Sequence, residues 1–353
     1  MDKNKASEII TKNIKNYMSV FINRVSKNIE DRIIYYFKIK KNLNLKKPNY
    51  CIKFYKNDIK TAKPKFRLGS NIILDKPIGS TSMHATIYYS IFRDKNKRLY
   101  KFAIKTTPIT KITEKEVIIL QQLTELIITR RCPHFPIIYS IIKCDNNDMN
   151  DSSYIKSSSN KSISKIPIFH YNKYYSILTE LANGDVKTFM KNHNKEIKLV
   201  KNALAQIWLS LIFYYKYTNN YHSDAHDGNF LYHKIKSGGY FHYKIYEKDY
   251  YLKNEGYLWI IWDLEQSKPL DSLLGNHYEL LDLTFDFKTI NYYFTNHLQL
   301  KDSKEIKRIL KNTIKYTPTN LKILIEQLLN YLVKTKILRR KINEKPINNI
   351  PYN

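Results

Sequence analysis

The sequence predicts an α+β fold with two lobes, a small β-rich lobe followed by a larger, mainly helical one. Short β-prone runs separated by turns begin near Leu68, which is typical of strands. Apolar residues then keep helical spacing from Ile197 to Tyr215, which predicts a long core helix. A chain of 353 residues with 43% hydrophobic content has room for two such cores. The predicted boundaries give three parts: a basic helical N-terminal extension over 1–66, an N-lobe over 67–180 and a C-lobe over 181–353.

The charge of the chain is strongly positive, since 60 lysines and arginines against 31 aspartates and glutamates give a formal net charge of +29. Such a balance can indicate nucleic acid, an acidic membrane surface or an acidic protein as partner. The dominance of Lys, Asn, Ile and Tyr, which have A/T-rich codons, is also typical of a genome of low G+C content. Because the positive residues are spread along the chain, we favour this compositional interpretation. Nucleic acid stays an alternative partner that no motif supports.

Three cysteines, Cys51, Cys132 and Cys144, form no Cys-x-x-Cys pair, which argues against a structural zinc site. We interpret them as thiols of a reducing intracellular compartment. No apolar run reaches the roughly 20 residues that span a bilayer, and the N-terminus has no secretory signal pattern. These patterns predict a soluble intracellular protein without a transmembrane segment.

The N-terminal extension carries an amphipathic helical pattern. Apolar residues recur there at spacings of three and four: Ile10, Ile14, Tyr17, Met18, Phe21, Ile22 and Val25. We expect this stripe to pack on the body of the protein. A helix that binds a partner or a membrane surface is the alternative.

The β-prone region contains a small-residue turn, Gly79 to Ser82, followed by a hairpin whose return strand runs from Tyr100 to Lys105. Backbone N–H groups of such a turn can line a phosphate site. Lys105 is predicted to stand among apolar neighbours. Each feature alone is weak evidence, because small turns and solvated strand lysines are common.

A helix is predicted to open at Thr113 and to run through an apolar stripe. Thr113 and Glu116 have the spacing of a capping box, so Glu116 has a structural role available. Strands are predicted at 137–144 and 174–179. The segment 145–165 between them, rich in Asn, Asp and Ser, is interpreted as a surface loop.

In the C-lobe the long core helix leads into a polar loop over 221–231. Apolar strand-like runs and glycine turns then predict β-hairpins that end at Asp263. Three further helices are predicted, at 278–294, 304–313 and 321–338.

The polar loop holds Asp224 and Asn229, and Asp263 closes the apolar strand after it. An aspartate as base, with an asparagine and a second aspartate as oxygen ligands, is the set that phosphoryl transfer with magnesium requires. Taken one at a time, these residues are more often structural, as a turn cap or a strand end. Their joint order along the chain favours the chemical interpretation.

Five features stand in one order: the small-residue loop, the strand ending in Lys105, the Glu116 helix, the loop His222-x-Asp224-x₄-Asn229 and the strand ending in Asp263. This order resembles the protein-kinase-like superfamily, over roughly residues 68–295. The low-G+C composition and the segment Cys-Pro-His-Phe-Pro at 132–136 further resemble the serine/threonine protein kinases of large cytoplasmic DNA viruses.

The resemblance implies a bilobal protein-kinase-like fold with ATP and Mg²⁺ in the cleft. Asp224 would orient the acceptor hydroxyl and take its proton, and Asn229 and Asp263 would hold magnesium, so Asp224, Lys105 and Asn229 are the implied catalytic residues. The resemblance also implies the nucleotide contacts. Lys105 would contact the α- and β-phosphates with Glu116 as its partner, and the backbone of the hinge at Glu180 and Leu181 would receive adenine. The residues implied to cover the phosphates are Gly79, Ser80, Thr81 and Ser82.

The chain departs from the family pattern at five places, one of which is that no Ala-Pro-Glu follows Asp263. Only Gly79 remains of three loop glycines, Asp-Leu-Glu at 263–265 replaces Asp-Phe-Gly, and His226 stands where protein kinases carry lysine. The interval from Lys105 to Glu116 is short, so Glu125 is a second candidate partner. His226 has either a structural or a substrate-contacting role, whereas His222 is expected to hold the loop through a backbone hydrogen bond.

The expected function is transfer of the ATP γ-phosphate to a hydroxyl, with Ser or Thr of proteins, including the chain itself, as acceptors. His226 and Glu265 are also similar to small-molecule kinases of the aminoglycoside and choline type, which form the first alternative. A catalytically inactive pseudokinase scaffold is the second. The viral resemblance implies a host-cytoplasmic or virion location.

Overall fold

The computed structural model describes residues 29–43, 51–54, 66–69, 71–79, 85–94, 98–145, 172–270, 283–298 and 320–353. The fold is mixed α and β with a curled antiparallel sheet, as the sequence predicts. Within these ranges no helix is both long and apolar enough to cross a membrane. The predicted stripe from Ile10 to Val25, the loop at 145–165 beyond Asp145 and the helix at 304–313 lie outside the described residues.

In the described residues up to Thr179, the chain forms one sheet and two helices. Its elements in order are α1 (Ile29–Asn42), β1 (Ile52–Phe54), β2 (Phe66–Leu68), β3 (Ile72–Ile78), β4 (Thr86–Arg93), β5 (Leu99–Pro108), α2 (Lys111–Ile128), β6 (Ile138–Asp145) and β7 (Lys173–Thr179). The extension over 1–66 was predicted to be helical, yet it also supplies β1. This strand pairs antiparallel with β2 at the edge of the sheet.

The seven strands form an antiparallel sheet in the order β1-β2-β3-β4-β5-β7-β6. A disulfide joins Cys51, next to β1, to Cys144 in β6, with the two Cα atoms 5.5 Å apart. The Ile52 amide also donates to the hydroxyl of Tyr174. Because β1 and β6 are the two edge strands, these contacts close the sheet on itself. The interpretation of Cys51 and Cys144 as free thiols is therefore wrong, whereas Cys132 is a buried free thiol.

Helix α2 begins three residues earlier than its predicted capping box requires. Thr110 is the N-cap, and its side chain accepts a hydrogen bond from the backbone N–H of Thr113, whose hydroxyl accepts in turn from the Thr110 N–H. The predicted box between Thr113 and Glu116 is thus wrong, because Thr113 is already inside the helix. Glu116 is left free for another contact.

The C-terminal part begins with the short strand β8 (Gly184–Asp185) and two helices, α3 (Val186–His193) and α4 (Ile197–Thr218). Helix α4 is buried on all sides from Asn202 to Tyr215, as its apolar sequence predicts. The remaining elements are β9 (Asn220–Tyr221), β10 (Phe230–Lys234), β11 (Tyr240–Ile245), β12 (Lys248–Lys253), β13 (Tyr257–Ile261), β14 (Lys268–Pro269), α5 (Phe285–His297), α6 (Leu321–Lys334) and β15 (Leu338–Arg339).

Three small antiparallel sheets hold the loops that follow α4. Strand β10 pairs with β13 and β8, β12 pairs with β11 and β15, and β14 pairs with β9. The pair β9–β14 joins the chain just before His222 to the chain just after Asp263, through the partners Tyr221 and Lys268. The β-hairpins predicted to end at Asp263 are present, and they bring this residue back to the polar loop.

Candidate active site

A cleft lies between the seven-stranded sheet and the C-terminal part. Its volume is about 620 Å³, which is within the usual size of small-molecule sites. Residues from both sides line it, among them Gly79, Lys105, Thr179, Glu180, Leu181, Asp224, His226, Asn229, Trp262, Asp263 and Glu265. The fold therefore brings predicted site residues from the N-terminal and C-terminal parts of the chain to one cavity.

Lys105 lies in β5 with only 2% of its surface exposed. Its Nζ atom is 2.7 and 3.0 Å from the two carboxylate oxygens of Glu116 and 2.8 Å from Oδ1 of Asp263. Glu116 is buried on the face of α2 that packs on the sheet, whereas Glu125 is exposed. Of the two candidate partners for Lys105, Glu116 is the one in contact.

The charges of this cluster depend on one another. Burial by itself lowers the pKa of Lys105, but Glu116 and Asp263 raise it above the ordinary lysine value. Burial likewise favours a neutral Asp263, yet the adjacent ammonium lowers the pKa of this carboxyl. For Glu116 the burial effect is larger, so its pKa is raised although Lys105 opposes the change. Lys105 is thus a permanent cation held between two carboxylates.

The polar loop joins Asp224 to Asn229. The Nδ2 group of Asn229 donates to the backbone oxygen of Asp224 at 2.9 Å and to its carboxylate at 3.2 Å. About 43% of the Asp224 side chain is exposed toward the cleft side of the loop, whereas Asn229 is buried. This contact fixes the Asn229 side chain and leaves the Asp224 carboxylate accessible from the cleft.

His222 is buried and holds the loop, as expected. Its Nε2 atom lies 2.8 Å from the backbone oxygen of Trp262, and its Nδ1 atom accepts from the Asp224 N–H at 3.3 Å. We therefore assign the proton to Nε2. The imidazole links the residue before Asp263 to the Asp224 loop, so both aspartates are positioned by one side chain.

Two non-glycine residues of the site have left-handed backbone conformations. Ser223, directly before Asp224, has φ 68°, and Asp263 has φ 58°. Such conformations cost free energy and persist where the surroundings over-determine them. Their positions, at and beside the two cleft aspartates, are typical of a functional site.

The residue that fixes Ser223 is Asp286 in the first turn of α5, a residue that the sequence analysis did not single out. Its fully buried carboxylate accepts hydrogen bonds from the backbone N–H groups of His222 at 2.6 Å and Ser223 at 3.0 Å, and from the hydroxyl of Tyr215 at 2.8 Å. An aspartate between two phenylalanines in the predicted helix 278–294 was the available signal. Residues 278–282 of that predicted helix lie outside the described residues, and in the described part the helix runs from Phe285 to His297.

Gly79 directly follows β3 at the rim of the cleft, with φ +76°. A Cβ there would contact nothing within 4 Å, so the glycine is needed for its backbone conformation rather than for space. The other predicted phosphate contacts, Ser80, Thr81 and Ser82, lie outside the described residues.

Glu180 and Leu181 follow β7 along the opposite wall of the cleft. The Glu180 carboxylate points into the protein, where it accepts from Arg32 and from the backbone N–H of Ile137. Its side chain is therefore not available to a ligand in the cleft, and its backbone N–H donates to the Ile137 oxygen at 3.1 Å.

The predicted magnesium ligands, Asn229 and Asp263, both line the cleft. Since the Asn229 amide nitrogen is engaged by Asp224, its oxygen is the atom suited to a cation. In the described ranges no three His, Cys, Asp or Glu side chains form a metal cluster. Magnesium at phosphate sites needs only one or two protein ligands besides water and phosphate, so an Asp–Asn pair fits this ion.

Two departures from the family pattern lie beside these residues. The Nδ1 atom of His226 accepts from the Gly228 N–H at 3.0 Å, and its Nε2 atom is 3.7 Å from Oδ2 of Asp224. Glu265 places Oε2 3.9 Å from Nζ of Lys105. His226 therefore has a contact within the loop and a second nitrogen facing the Asp224 carboxylate, and Glu265 adds negative charge to the cluster.

No protein-family model matches this chain, and no curated protein matches it.

Proposed function

We propose that this protein is an ATP-dependent phosphotransferase, a serine/threonine protein kinase of the type that the sequence resembles. One observation carries the proposal. Lys105, paired with Glu116 and Asp263, lies in the same cleft as the linked pair Asp224 and Asn229. A buried cation, an accessible base and two oxygen ligands around one cavity are the parts that phosphoryl transfer uses.

In the proposed reaction Asp224 orients the acceptor hydroxyl and takes its proton. The hydroxyl oxygen forms a bond to the γ-phosphorus while the bond from that phosphorus to the bridging oxygen breaks, and ADP leaves. Lys105 stabilises the negative charge of the α- and β-phosphates. Since this charge is spread over several oxygens, fixed cations and positioning supply most of the rate enhancement.

Asn229 and Asp263 would hold the magnesium ion, which supplies positive charge to the phosphates when bound. The left-handed conformation of Asp263 and the hydrogen bond from Asn229 to Asp224 fix these ligands. The rim at Gly79 and the backbone of Glu180 and Leu181 would receive the phosphates and the adenine.

A small-molecule kinase is the second candidate, favoured by the two departures at His226 and Glu265. Both side chains line the cleft next to Asp224 and Lys105. A carboxylate at this place suits a cationic or polyhydroxy acceptor better than an acidic peptide. Acceptor screening separates the candidates, with acidic and basic proteins in one arm and aminoglycosides, choline and other alcohols in the other.

The decisive experiment measures Mg²⁺-dependent transfer of the ATP γ-phosphate by the wild type, Asp224→Ala and Asp263→Ala. Loss of a base or a metal ligand should reduce the rate by about 10²-fold or more. Asp249→Ala is a matched control, because this aspartate is exposed and pairs with His242 outside the cleft. A wild type that binds ATP and phosphorylates neither protein nor small-molecule acceptors would instead identify a pseudokinase.

A further inference from the structure

An arginine outside the predicted lobes is buried behind the hinge of the cleft. Arg32 belongs to α1, in the N-terminal extension, and only 1% of its surface is exposed. A buried guanidinium is costly unless carboxylate or carbonyl oxygens satisfy its N–H groups. Its contacts therefore show what this helix is fixed to.

Three segments meet at the Arg32 guanidinium. Its Nε atom donates to Oε2 of Glu180 at 2.9 Å, and Nη2 donates to the other oxygen of the same carboxylate. Nη1 donates to the backbone oxygen of Pro133, and Nη2 to that of Phe135, both at 2.7 Å. The two-oxygen contact with Glu180 is a planar match that a lysine cannot reproduce.

Both segments that Arg32 contacts continue into the cleft. The backbone of Glu180 lines the cavity on the hinge side. His134 stands in the sequence between Pro133 and Phe135, whose carbonyls accept from Arg32. Its Nδ1 atom lies 2.7 Å from the backbone oxygen of Trp259, and its own backbone oxygen accepts from the Ile261 N–H at 3.0 Å. Ile261 ends the strand that precedes Asp263, so one guanidinium is linked to both walls of the site.

The charges are consistent with a strong contact. Burial alone would raise the pKa of Glu180, but Arg32 and the nearby His233 lower it well below the ordinary value. The Nε2 atom of His233 lies 3.2 Å from the same carboxylate. Glu180 also accepts from the Ile137 N–H, so its side chain is fixed from three sides.

We propose that Arg32 is a positioning residue of the nucleotide site, through which helix α1 fixes the hinge backbone at Glu180. The proposal rests on the proposed function, because it names the adenine-receiving segment as the part that Arg32 positions. According to this proposal, helix α1, which precedes the kinase-like lobes, contributes to the affinity for the nucleotide. Displacement of α1 from this place would weaken ATP binding without touching Asp224 or Asp263.

The test compares ATP affinity, kcat and the KM for ATP in full-length variants. Arg32→Met alone leaves the Glu180 carboxylate buried without its partner and can unfold the chain. The main variant is therefore Arg32→Met with Glu180→Gln, which removes both charges and keeps an acceptor for the Ile137 N–H. Arg32→Lys is the conservative variant. Ile33→Ala, at a buried neighbour in the same helix, is the control for loosened packing.

We expect the double variant to bind ATP about tenfold or more weakly by isothermal titration calorimetry, because small displacements of a positioning group have large effects. The KM for ATP should rise in parallel, kcat should change less than about threefold, and Arg32→Lys should be intermediate. Ile33→Ala should melt at a lower temperature with unchanged ATP affinity.

Two results would overturn the proposal in distinguishable ways. A folded double variant with wild-type ATP affinity would show that Arg32 serves stability alone. If Ile33→Ala weakens ATP binding as much as the double variant does, loosened packing explains the effect and Arg32 has no positioning role. A wild type that binds no ATP would overturn the proposed function, and this proposal with it.

Discussion

The ammonium group of Lys105 lies 2.8 Å from the carboxylate of Asp263, although 158 positions separate the two residues in the sequence. The first belongs to strand β5 of the seven-stranded sheet, and the second follows β13 in the C-terminal part. Since Glu116 contacts the same ammonium, one buried lysine joins the sheet, helix α2 and the loop after β13. Its removal has separate consequences for activity and for stability.

Replacement of Lys105 by methionine should reduce phosphate transfer by about 10²-fold, because a fixed cation at the phosphates is lost. It should also lower the free energy of unfolding by about 3–5 kcal/mol, since Glu116 would stay buried without its partner. Lys105→Met combined with Glu116→Gln should regain much of that stability but none of the activity. Urea unfolding measures the free energy of unfolding of both variants, and an ATP γ-phosphate transfer assay measures their rates. Activity within threefold of wild type in Lys105→Met would contradict the assignment.

Asp286→Asn should slow transfer while ATP affinity changes little. An asparagine oxygen can accept from one of the two backbone N–H groups, and the other would stay buried without a partner, at a cost of about 1–3 kcal/mol. Ser223 would then be less well held in its left-handed conformation, directly beside Asp224. Tyr215→Phe is the matched control, because it removes the third donor and leaves both backbone contacts. Equal kcat values for the two variants would exclude this role of Asp286.

His134 should make the protein less stable as the pH falls below neutrality. Burial lowers the pKa of His134 from the ordinary histidine value to about 4, and the nearby Arg32 adds to the effect. Below about pH 6.5 the unfolded chain therefore takes up a proton that the folded chain does not. Stability rises with pH in that range, and the free energy of unfolding should fall by about 2 kcal/mol from pH 7 to pH 5.

Urea unfolding of the wild type and His134→Gln at the two pH values tests this prediction. The variant is destabilised at both, because its contacts with Trp259 and Tyr243 change. The decrease in its free energy of unfolding from pH 7 to pH 5 should nevertheless be about 2 kcal/mol smaller than the decrease in the wild type. The same pH dependence in both proteins would show that His134 is not the titrating group.

Reduction of the disulfide between Cys51 and Cys144 should destabilise the protein. The bridge closes a loop with a sequence separation of 93, and loop-entropy arguments give a contribution of about 4–5 kcal/mol. Urea unfolding with and without a phosphine reductant measures the change, and Cys51→Ala with Cys144→Ala should be insensitive to the reductant. Thiol titration of the denatured, unreduced wild type should detect one free cysteine, Cys132. Detection of three would show that the bridge is absent.

The elements that the sequence predicted well are those with local patterns. Helix α4 was expected from Ile197 to Tyr215 and runs to Thr218, because successive turns contribute apolar residues. The hairpin that carries Lys105 follows equally from alternating β-prone residues and a polar tip. Local spacing gave the wrong start for α2, because the capping box was predicted between Thr113 and Glu116 whereas the helix uses one between Thr110 and Thr113.

The features that the sequence did not predict depend on pairing between distant segments. Arg32 meets Glu180 across 148 positions, and Asp286 reaches Ser223 across 63. No periodicity or spacing rule links such residues, since closure of the sheet and packing of the helices bring them together. The pairing of Lys105 with Glu116, 11 positions away, was an expectation that came from the resemblance to a known order of motifs. The contact of Lys105 with Asp263, 158 positions away, was not predicted.

The position of Trp262 gives the cleft its own optical reporter. All three tryptophans of the chain come after Glu180 in the sequence: Trp208, Trp259 and Trp262. Trp262 lines the cavity, and its ring centroid is 6.0 Å from Nζ of Lys105. Tryptophan emission therefore reports on the C-terminal part of the molecule, while the seven-stranded sheet contains tyrosine alone among the strong fluorophores. A nucleotide that enters the cleft should change the emission of Trp262, so binding can be followed without a labelled ligand.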